Sequence, residues 1–173
     1  ECIGALAAER AGLSAVFVTG NGLSASLAGM PDIGLLSMRE VADAARSIAG
    51  SVRIPVIGDA DTGYGPALNV IRTVRECERA GLAGILLEDQ SLPKRCAYYP
   101  GEMRLAAPEE HAAKIRAAVW ARQNRDFCII ARTDAFRAAG GGEAAARAGL
   151  YAAAGADAVF VVGIPDLESL RAM

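Results

Sequence analysis

The stretch Ala80-Gly81-Leu82-Ala83-Gly84-Ile85-Leu86-Leu87 joins the end of a helix, a short turn and a run of aliphatic residues. The same phrase occurs at residues 11–18 (Ala-Gly-Leu-Ser-Ala-Val-Phe-Val) and 154–161 (Ala-Gly-Ala-Asp-Ala-Val-Phe-Val). A glycine directly after a helix can take the left-handed conformation that ends the helix. The apolar run lacks strict alternation with polar residues, which is typical of a strand buried on both faces. The repeated phrase therefore predicts helices that alternate with buried strands.

The segments between these phrases extend the alternation. Further strands are predicted at Ile54–Gly58 and Phe127–Ala131, and helices at Ser37–Ala49, Pro66–Ala80, Pro108–Gln123 and Glu143–Ala154. Strands that alternate with helices form a parallel sheet with right-handed crossovers. An open doubly wound sheet and a (β/α)8 barrel are both compatible with this order.

The position of the polar residues favours the barrel. Thr19, Asp59, Glu88 and Arg132 each follow a predicted strand, and the carboxyl ends of barrel strands meet at one mouth. We therefore expect an α/β fold in which residues 1–173 form a single incomplete (β/α)8 TIM-barrel domain with about five of the eight strands. Because the sequence starts at a glutamate and stops without a closing signal, we expect the first strand and the last two to lie outside it.

Composition excludes several classes of partner. The 173 residues are 53% hydrophobic, which is enough for one sizeable core. The net charge is −2, from 18 basic and 20 acidic residues without a basic stripe, so nucleic-acid binding has no electrostatic support. No apolar run approaches the length that crosses a bilayer, and the first residues do not show the charged and apolar regions expected of a secretory leader. We expect a cytoplasmic protein with no membrane partner.

Cysteine and histidine offer little for metal binding. The four cysteines, at positions 2, 77, 96 and 128, are widely spaced, so a disulfide framework and a zinc site are both unfavourable. The single histidine, His111, lies in a charged helical segment, and we expect it at the surface.

The strongest local signal is acidic. In Asp59-Ala-Asp-Thr-Gly-Tyr-Gly65, two carboxylates spaced i, i+2 can reach one hard cation, and the glycines allow a sharp turn beneath it. The alternative is a helix-capping turn, in which Asp and Gly are also common. Asp32 and Glu88 follow other strands, and they favour a site of oxygen ligands for Mg²⁺ or Mn²⁺.

Three other groups could carry chemistry. Cys96 follows Lys94 and Arg95, whose charge favours a thiolate, although a loop cysteine beside two cations is usually incidental. Arg132 suits bidentate binding of a substrate carboxylate, with an ion pair to a neighbouring Asp as the alternative. The segment Thr19-Gly20-Asn21-Gly22 can offer N–H groups and small polar side chains to an anion.

These motifs occur in a recognisable order along nearly the whole chain. They are Thr19-Gly-Asn-Gly22, Met30-Pro-Asp-Ile-Gly34, Pro55-Val-Ile-Gly-Asp-Ala-Asp-Thr-Gly-Tyr-Gly65, Glu88-Asp-Gln90, Pro93-Lys-Arg-Cys96 and Ala131-Arg-Thr-Asp134. The combination resembles the isocitrate lyase/phosphoenolpyruvate mutase superfamily, and in particular its 2-methylisocitrate lyase-like and carboxyphosphonoenolpyruvate mutase-like members.

The resemblance implies a role for each motif. Mg²⁺ would be held by Asp59, Asp61 and Glu88, directly or through water, with Asp32 in the outer shell. The carboxylate of a small oxo acid would be bound by Thr19, Gly20 and Asn21. Developing charge would be neutralised by Arg132, and Cys96, on a loop with Lys94, would be the general acid/base. The resemblance also implies a homotetramer for the full-length protein.

The resulting functional hypothesis is a Mg²⁺-dependent carbon–carbon lyase that cleaves a small 2-hydroxy di- or tricarboxylate, of the 2-methylisocitrate or dimethylmalate type, to an oxo acid. A phosphonomutase or an oxaloacetate decarboxylase on the same scaffold is one alternative, and a non-catalytic metabolite-binding homologue is another. Two departures from the lyase pattern bear on this choice. Ala97-Tyr98-Tyr99 replaces a Gly-His pair after Cys96, and Val162 lies where many lyases carry a glutamate.

Overall fold

The computed structural model describes residues 1–96 and 101–173. Its centre is a sheet of five parallel strands: β1 (Val16–Val18), β2 (Val56–Asp59), β3 (Gly84–Glu88), β4 (Cys128–Thr133) and β5 (Ala158–Val161). The strands neighbour one another in chain order, β1-β2-β3-β4-β5, and every pair is parallel. A doubly wound sheet reverses its strand order at a switch point, whereas a barrel does not. The predicted partial (β/α)8 barrel is therefore confirmed.

The helices follow the predicted alternation with the strands. Their bounds are α1 (Cys2–Arg10), α2 (Gly20–Leu23) continued by a π-helical turn (Ser24–Ala28), α3 (Met38–Ala49), α4 (Ala67–Arg79), α5 (Pro108–Ala121), α6 (Ala135–Ala139), α7 (Gly141–Ala153) and α8 (Leu167–Arg171). The four predicted helices correspond to α3, α4, α5 and α7, with ends within two residues of the prediction. Ser37 caps α3 through a reciprocal pair of hydrogen bonds with Glu40, which satisfies two N–H groups of the first turn.

The core lies between the sheet and the helices, and it is deepest at β3. All five residues of β3 are buried, and Ile85 and Leu87 belong to one apolar cluster with residues of α4 and α5. A Cβ at Gly84 would lie 2.6 Å from the carbonyl oxygen of Cys128, so this close approach of β3 to β4 requires glycine. The buried central strand carries Glu88 to the carboxyl edge of the sheet.

The expectation of a surface position for His111 is wrong, because only 1% of its area is exposed. Helix α5 contacts both α4 and α7, so it buries a wider face than a helix packed against one neighbour. The imidazole packs edge-on against Tyr151, with ring centroids 4.6 Å apart. Burial lowers the pKa of His111 to about 4, although the Asp89 carboxylate acts in the opposite direction. In the described residues, no helix has the length and apolar character needed to cross a bilayer.

Candidate active site

The predicted site residues converge on one cavity of about 300 Å³ at the carboxyl ends of the strands. The predicted residues that line it are Thr19, Asn21, Asp32, Asp59, Glu88, Lys94, Cys96 and Arg132. The two remaining residues contact this lining: the Gly20 N–H donates to Asp59, and the Asp61 carboxylate binds Lys94. Residues that are far apart in sequence therefore meet at the mouth of the barrel, as the strand-end pattern predicts. Their individual roles stay predictions.

The loop after β2 holds the first two carboxylates in an unusual backbone conformation. Asp61 and Tyr64 take positive φ angles of 49° and 59°, which non-glycine residues rarely adopt. Surrounding contacts fix this strained loop: the Asp61 N–H donates to Asp59 Oδ1 at 3.0 Å, and Lys114 Nζ donates to the Thr62 carbonyl at 3.0 Å. Strain of this kind persists only where neighbouring contacts over-determine it, and it is concentrated at functional sites.

Gly20 explains how these carboxylates approach β1. Its N–H donates to Asp59 Oδ2 at 3.1 Å, so this donor binds a carboxylate of the protein rather than facing the cavity as a free anion-binding group. A Cβ at this position would lie 3.1 Å from both Asp59 Oδ2 and Asp61 Oδ1. The two carboxylates therefore converge on the same point, and only a residue without a side chain fits there without displacing them.

Lys94 is the buried cation of the cavity. Its ammonium binds Asp61 and also Asp32, with an Nζ–Oδ1 distance of 2.6 Å to the latter. Burial disfavours the charged ammonium, but Glu88, Asp61 and Asp59 outweigh it and raise the pKa of Lys94. For Asp61 the balance is the reverse: burial raises the pKa of its carboxyl to about 6 despite the attraction of Lys94. The Lys94 ammonium therefore forms ion pairs with the carboxylates of Asp32 and Asp61.

Glu88 and Arg132 form a second charged group on adjacent strands. The Arg132 guanidinium lies 3.3 Å from Glu88 Oε2 and donates two hydrogen bonds of 3.0 Å to the Asp134 carboxylate. The ion pair with a neighbouring Asp, which was the alternative interpretation of Arg132, is therefore present. Burial raises the pKa of Glu88 to about 8, and Glu88 Oε1 has no hydrogen-bond partner among the described residues.

Cys96 lines the cavity at the end of the described part of its loop. The thiol is half-buried, and the Arg95 N–H donates to Oε1 of Gln90, two residues past the end of β3, at 2.8 Å. The Ala97-Tyr98-Tyr99 departure lies outside the described residues. Val162, the second departure, lines the same cavity and brings no carboxylate to it.

The donor set suits a hard divalent cation, but the carboxylates do not form a finished ion site. Within residues 1–96 and 101–173, no group of three or more His, Cys, Asp or Glu side chains is placed to hold a metal ion. Lys94 contacts Asp61, and Arg132 contacts Glu88. The unpartnered buried oxygen of Glu88 and the convergence of Asp59 and Asp61 at Gly20 nevertheless fit Mg²⁺, which prefers oxygen ligands.

Sequence reasoning missed two polar residues of this site. The Gln90 amide donates to Glu88 and Asp134, at 3.5 and 3.3 Å, and so bridges the ends of β3 and β4. Asp134 holds Arg132 and is fully buried. Both residues follow strands that already carried predicted site residues, so the strand-end rule would have found them if it had been applied past the first polar residue.

Five parallel strands in barrel order, with a charged cavity at their carboxyl ends, define a (β/α)8-barrel chain with its candidate site where such folds place their active sites. The chain belongs to the PEP_mutase family, described as phosphoenolpyruvate phosphomutase, whose model matches residues 1–173.

Similar proteins agree with this family. The 2,3-dimethylmalate lyase of Eubacterium barkeri is 51% identical over 162 residues, which cover 94% of this chain and 56% of that protein. The 2-methylisocitrate lyase of Aeropyrum pernix is 50% identical over 167 residues, which cover 96% and 53%. This chain therefore spans about half the length of the curated relatives it matches.

Solved structures show the same fold. A 2,3-dimethylmalate lyase, described as a PEP mutase/isocitrate lyase superfamily member, superposes with a TM-score of 0.93 at 38% identity, covering 99% of this chain and 58% of that one. A phosphonopyruvate hydrolase in complex with oxalate and Mg²⁺ has a TM-score of 0.89 at 38% identity, covering 99% and 59%.

Proposed function

We propose that the full-length protein is a Mg²⁺-dependent lyase that cleaves a carbon–carbon bond of a small 2-hydroxy di- or tricarboxylate of the 2-methylisocitrate or 2,3-dimethylmalate type. The observation that carries this proposal is that the Cys96 thiol lines the same cavity as Asp59, Glu88 and Arg132. Cleavage to an oxo acid needs an acid beside the departing carbon, and phosphonomutase chemistry does not. The names of the two similar lyases support the same class.

The proposed cofactor follows from the chemistry of the donor atoms. Asp59, Asp61 and Glu88 would hold Mg²⁺, directly or through water, with Asp32 in the outer shell; Mn²⁺ would suit the same ligands. When bound, the ion would chelate the substrate carboxylate and hydroxyl oxygens and stabilise negative charge on them. The hydrolase that binds oxalate and Mg²⁺ on the same fold supports this assignment.

The side chains of the chain supply binding and charge stabilisation. Thr19, Gly20 and Asn21 would form the wall that receives the substrate carboxylate, with Gly20 acting through the position that it gives Asp59. Arg132 would stabilise the negative charge that develops on the substrate, because Asp134 already holds its guanidinium in one orientation. A cation whose orientation is fixed beforehand needs little reorganisation during the reaction.

The bond changes assign one proton to Cys96. A basic group of the site takes the proton of the 2-hydroxyl, and the electron pair of that O–H bond forms the carbonyl of the oxo acid. The carbon–carbon bond breaks, and its electron pair stays on the carbon beside the second carboxylate. The Cys96 thiol then gives its proton to that carbon, so the products together contain the atoms of the substrate. Lys94, on the same loop as Cys96, would supply positive charge to the cavity, where its ammonium binds Asp32 and Asp61.

The proposal is tested with the full-length protein and Mg²⁺. The substrate panel holds 2-methylisocitrate, 2,3-dimethylmalate, oxaloacetate and phosphonopyruvate, with oxo-acid release followed by a coupled assay. Cys96→Ser should lower cleavage of a hydroxy diacid about 100-fold or more, because general acid–base groups contribute factors of that size. Cys128→Ser is the matched control. Cys128 is the first residue of β4 and lies at the end of the strand away from the cavity, so this substitution should leave turnover unchanged.

A second candidate function has one observation in its favour. Val162 brings an apolar side chain to the cavity where the lyase pattern has a glutamate, and a phosphonopyruvate hydrolase shares the fold. Turnover of oxaloacetate or phosphonopyruvate that survives Cys96→Ser would place the protein with decarboxylases or phosphonomutases. Absence of turnover across the panel, with Mg²⁺ still bound, would favour a metabolite-binding homologue.

The state and location of the whole protein complete the proposal. We propose a homotetramer in the cytoplasm, acting on a small carboxylic acid, as the resemblance to the superfamily implies. Light scattering of the full-length protein after size exclusion tests the tetramer, and cell fractionation tests the location.

A further inference from the structure

A buried polar cluster lies behind the cavity, and no step of the proposed reaction uses it. It consists of Asp89, Thr133, Arg147 and Tyr151, which we call the Asp89 cluster; none of the four residues is more than 7% exposed. Asp89 follows Glu88 directly, and Thr133 lies between Arg132 and Asp134. Arg147 and Tyr151 come from α7 on the outside of the sheet.

The Asp89 carboxylate accepts four hydrogen bonds. Its Oδ2 accepts from Thr133 Oγ1 at 2.7 Å, from the Tyr151 hydroxyl at 2.9 Å and from Arg147 NH1 at 3.0 Å. Its Oδ1 accepts from the Asp134 N–H at 3.1 Å. A buried ionised carboxylate requires such compensation, and it takes one defined orientation when every donor is present.

One set of contacts runs from this carboxylate to the charged groups of the cavity. Asp89 holds the backbone of Asp134, whose carboxylate holds Arg132 in a bidentate pair. Arg132 in turn lies 3.3 Å from Glu88, the residue before Asp89. The β3/β4 ladder already places Glu88 beside Arg132, and the Asp89 carboxylate contacts the residue that orients the Arg132 guanidinium.

A second set of contacts runs to the base of the loop that bears Lys94 and Cys96. Arg147 NH1 donates to the Ala106 carbonyl at 3.0 Å, and the Ala106 N–H donates to the Asp89 carbonyl at 2.8 Å. The return end of the loop is thus attached to the same arginine that holds the Asp89 carboxylate. Arg147 itself is fixed by Glu143, whose Oε1 accepts from Arg147 Nε at 2.7 Å.

We propose that Arg147 is a positioning residue: through Asp89 and Ala106, it fixes Arg132 and the returning end of the loop, at Ala106, relative to Glu88. A buried ion pair is weak evidence for a stabilising role, because well-packed apolar residues often replace it without loss of stability. Here two polar contacts of Arg147 end on Asp89, the residue after Glu88, and on Ala106, in the returning part of the loop that bears Cys96. That arrangement suits a residue that orients reacting groups.

The kinetic test uses the full-length protein, and this readout rests on the proposed function. Arg147→Met should lower kcat about 10-fold to 100-fold, because mutation of a residue that supports the reacting groups typically lowers activity by that factor. KM should change little, because the misplaced groups act in the transition state. Tyr151→Phe keeps the Arg147–Asp89 ion pair and removes only the two hydrogen bonds of the Tyr151 hydroxyl, one donated to Asp89 and one accepted from Arg147, so a smaller loss of kcat should follow. Arg122→Met is the matched control.

The control Arg122→Met makes the same chemical change as Arg147→Met at a different place in the fold. Arg122 pairs with Asp157 at 2.6 Å and donates to the Phe127 carbonyl at 3.1 Å, at the amino-terminal end of the strands. Its loss removes an ion pair of an arginine without touching the Asp89 cluster. Arg122→Met should therefore shift the melting temperature but leave the kcat of the folded enzyme unchanged.

A second readout does not depend on activity. The N–H groups of Asp134 and Ala106 both donate to Asp89, so Arg147→Met should speed hydrogen exchange at these two positions, and Arg122→Met should not. Slower turnover together with faster exchange at both positions supports the inference. Wild-type kcat, or unchanged exchange, in Arg147→Met overturns it.

The remaining outcomes distinguish a failure of the proposed lyase function from a failure of the positioning role of Arg147. If the wild type turns over no substrate of the panel, the proposed function fails, and the exchange data alone decide whether Arg147 fixes these groups. If Arg147→Met does not fold, the kcat of Tyr151→Phe and its hydrogen exchange at Asp134 and Ala106 decide instead. Wild-type kcat and wild-type exchange in Tyr151→Phe would then refute positioning by the Asp89 cluster.

Discussion

His111→Gln is the perturbation for which the structure gives the clearest pH signature. The imidazole is buried against Tyr151, and its Nε2 has no hydrogen-bond partner among the described residues. Burial lowers its pKa from 6.5 to about 4; Asp89 acts against this shift, while Lys114 and Arg147 add to it. Glutamine is similar in length and stays neutral at every pH, so it removes the titration while keeping a polar side chain in the pocket.

The sign follows from the two states of the chain. As the pH falls below 6.5, the unfolded chain binds a proton at His111, but the folded chain does so only near pH 4. Stability contributed by the neutral imidazole is therefore present above pH 6.5 and is lost as the pH falls towards 4. The shift corresponds to about 3 kcal/mol in total, of which roughly 2 kcal/mol is lost between pH 7 and pH 5.

The assay must isolate this residue from carboxyl groups that act in the opposite direction. Burial raises the pKa of Glu88 to about 8 and that of Asp61 to about 6, so these groups contribute stability that is lost as the pH rises through those values. The quantity to measure is the free energy of unfolding in urea, wild type minus His111→Gln, at pH 7 and pH 5. A difference that stays constant between the two pH values, or an imidazole that titrates near 6.5 by NMR, would refute the reasoning.

Three substitutions test other features of the structure. Gly20→Ala should weaken Mg²⁺ binding about tenfold by calorimetry, because its Cβ would lie 3.1 Å from two carboxylate oxygens; wild-type affinity would show that the carboxylates accommodate it. Gly149→Ala adds a Cβ that meets nothing within 4 Å on helix α7, so the free energy of unfolding in urea should rise by about 0.5–1 kcal/mol, and a fall would contradict the open environment. Lys114→Met leaves the Thr62 carbonyl without its donor and should cost about 1–3 kcal/mol in the same assay, whereas exposed Arg116→Met should change stability by less than about 0.5 kcal/mol.

The parts of the fold that sequence predicted are those encoded by local patterns. A helix, a glycine and an apolar run recur at three of the five strands, and the other strands are apolar runs between helical segments, so the strands and four long helices could be placed to within a few residues. The residues around the cavity were found because the carboxyl ends of parallel strands meet, so the first polar residue after each strand is a candidate. Neither rule needs knowledge of contacts between distant residues.

The hydrogen-bond and ion-pair partners of the individual site residues were harder to predict from the sequence. The pattern around Gly20 predicts an anion-binding N–H, and that N–H binds Asp59, which is 39 residues away. Lys94 was expected to act on the Cys96 thiol beside it, and its ammonium binds Asp61, which is 33 residues away. A sequence shows that these donors and acceptors exist, but the pairing depends on the packing of strands.

The same argument applies most strongly to the side chains that support the site from outside. Lys114 reaches Thr62 across 52 residues, and Arg147 reaches Asp89 across 58. In sequence, both are charged residues of helical segments, with the same local signature as exposed Arg116. Nothing local distinguishes a cation that will be solvated from one that will be buried against a strand-end loop. The difference arises because the barrel places the helices α5 and α7 behind those loops, and a long side chain can then bury its stem while its charged end reaches a backbone or carboxylate oxygen. Residues that contact the cavity can thus be predicted from strand ends, whereas residues that hold them in place require the structure.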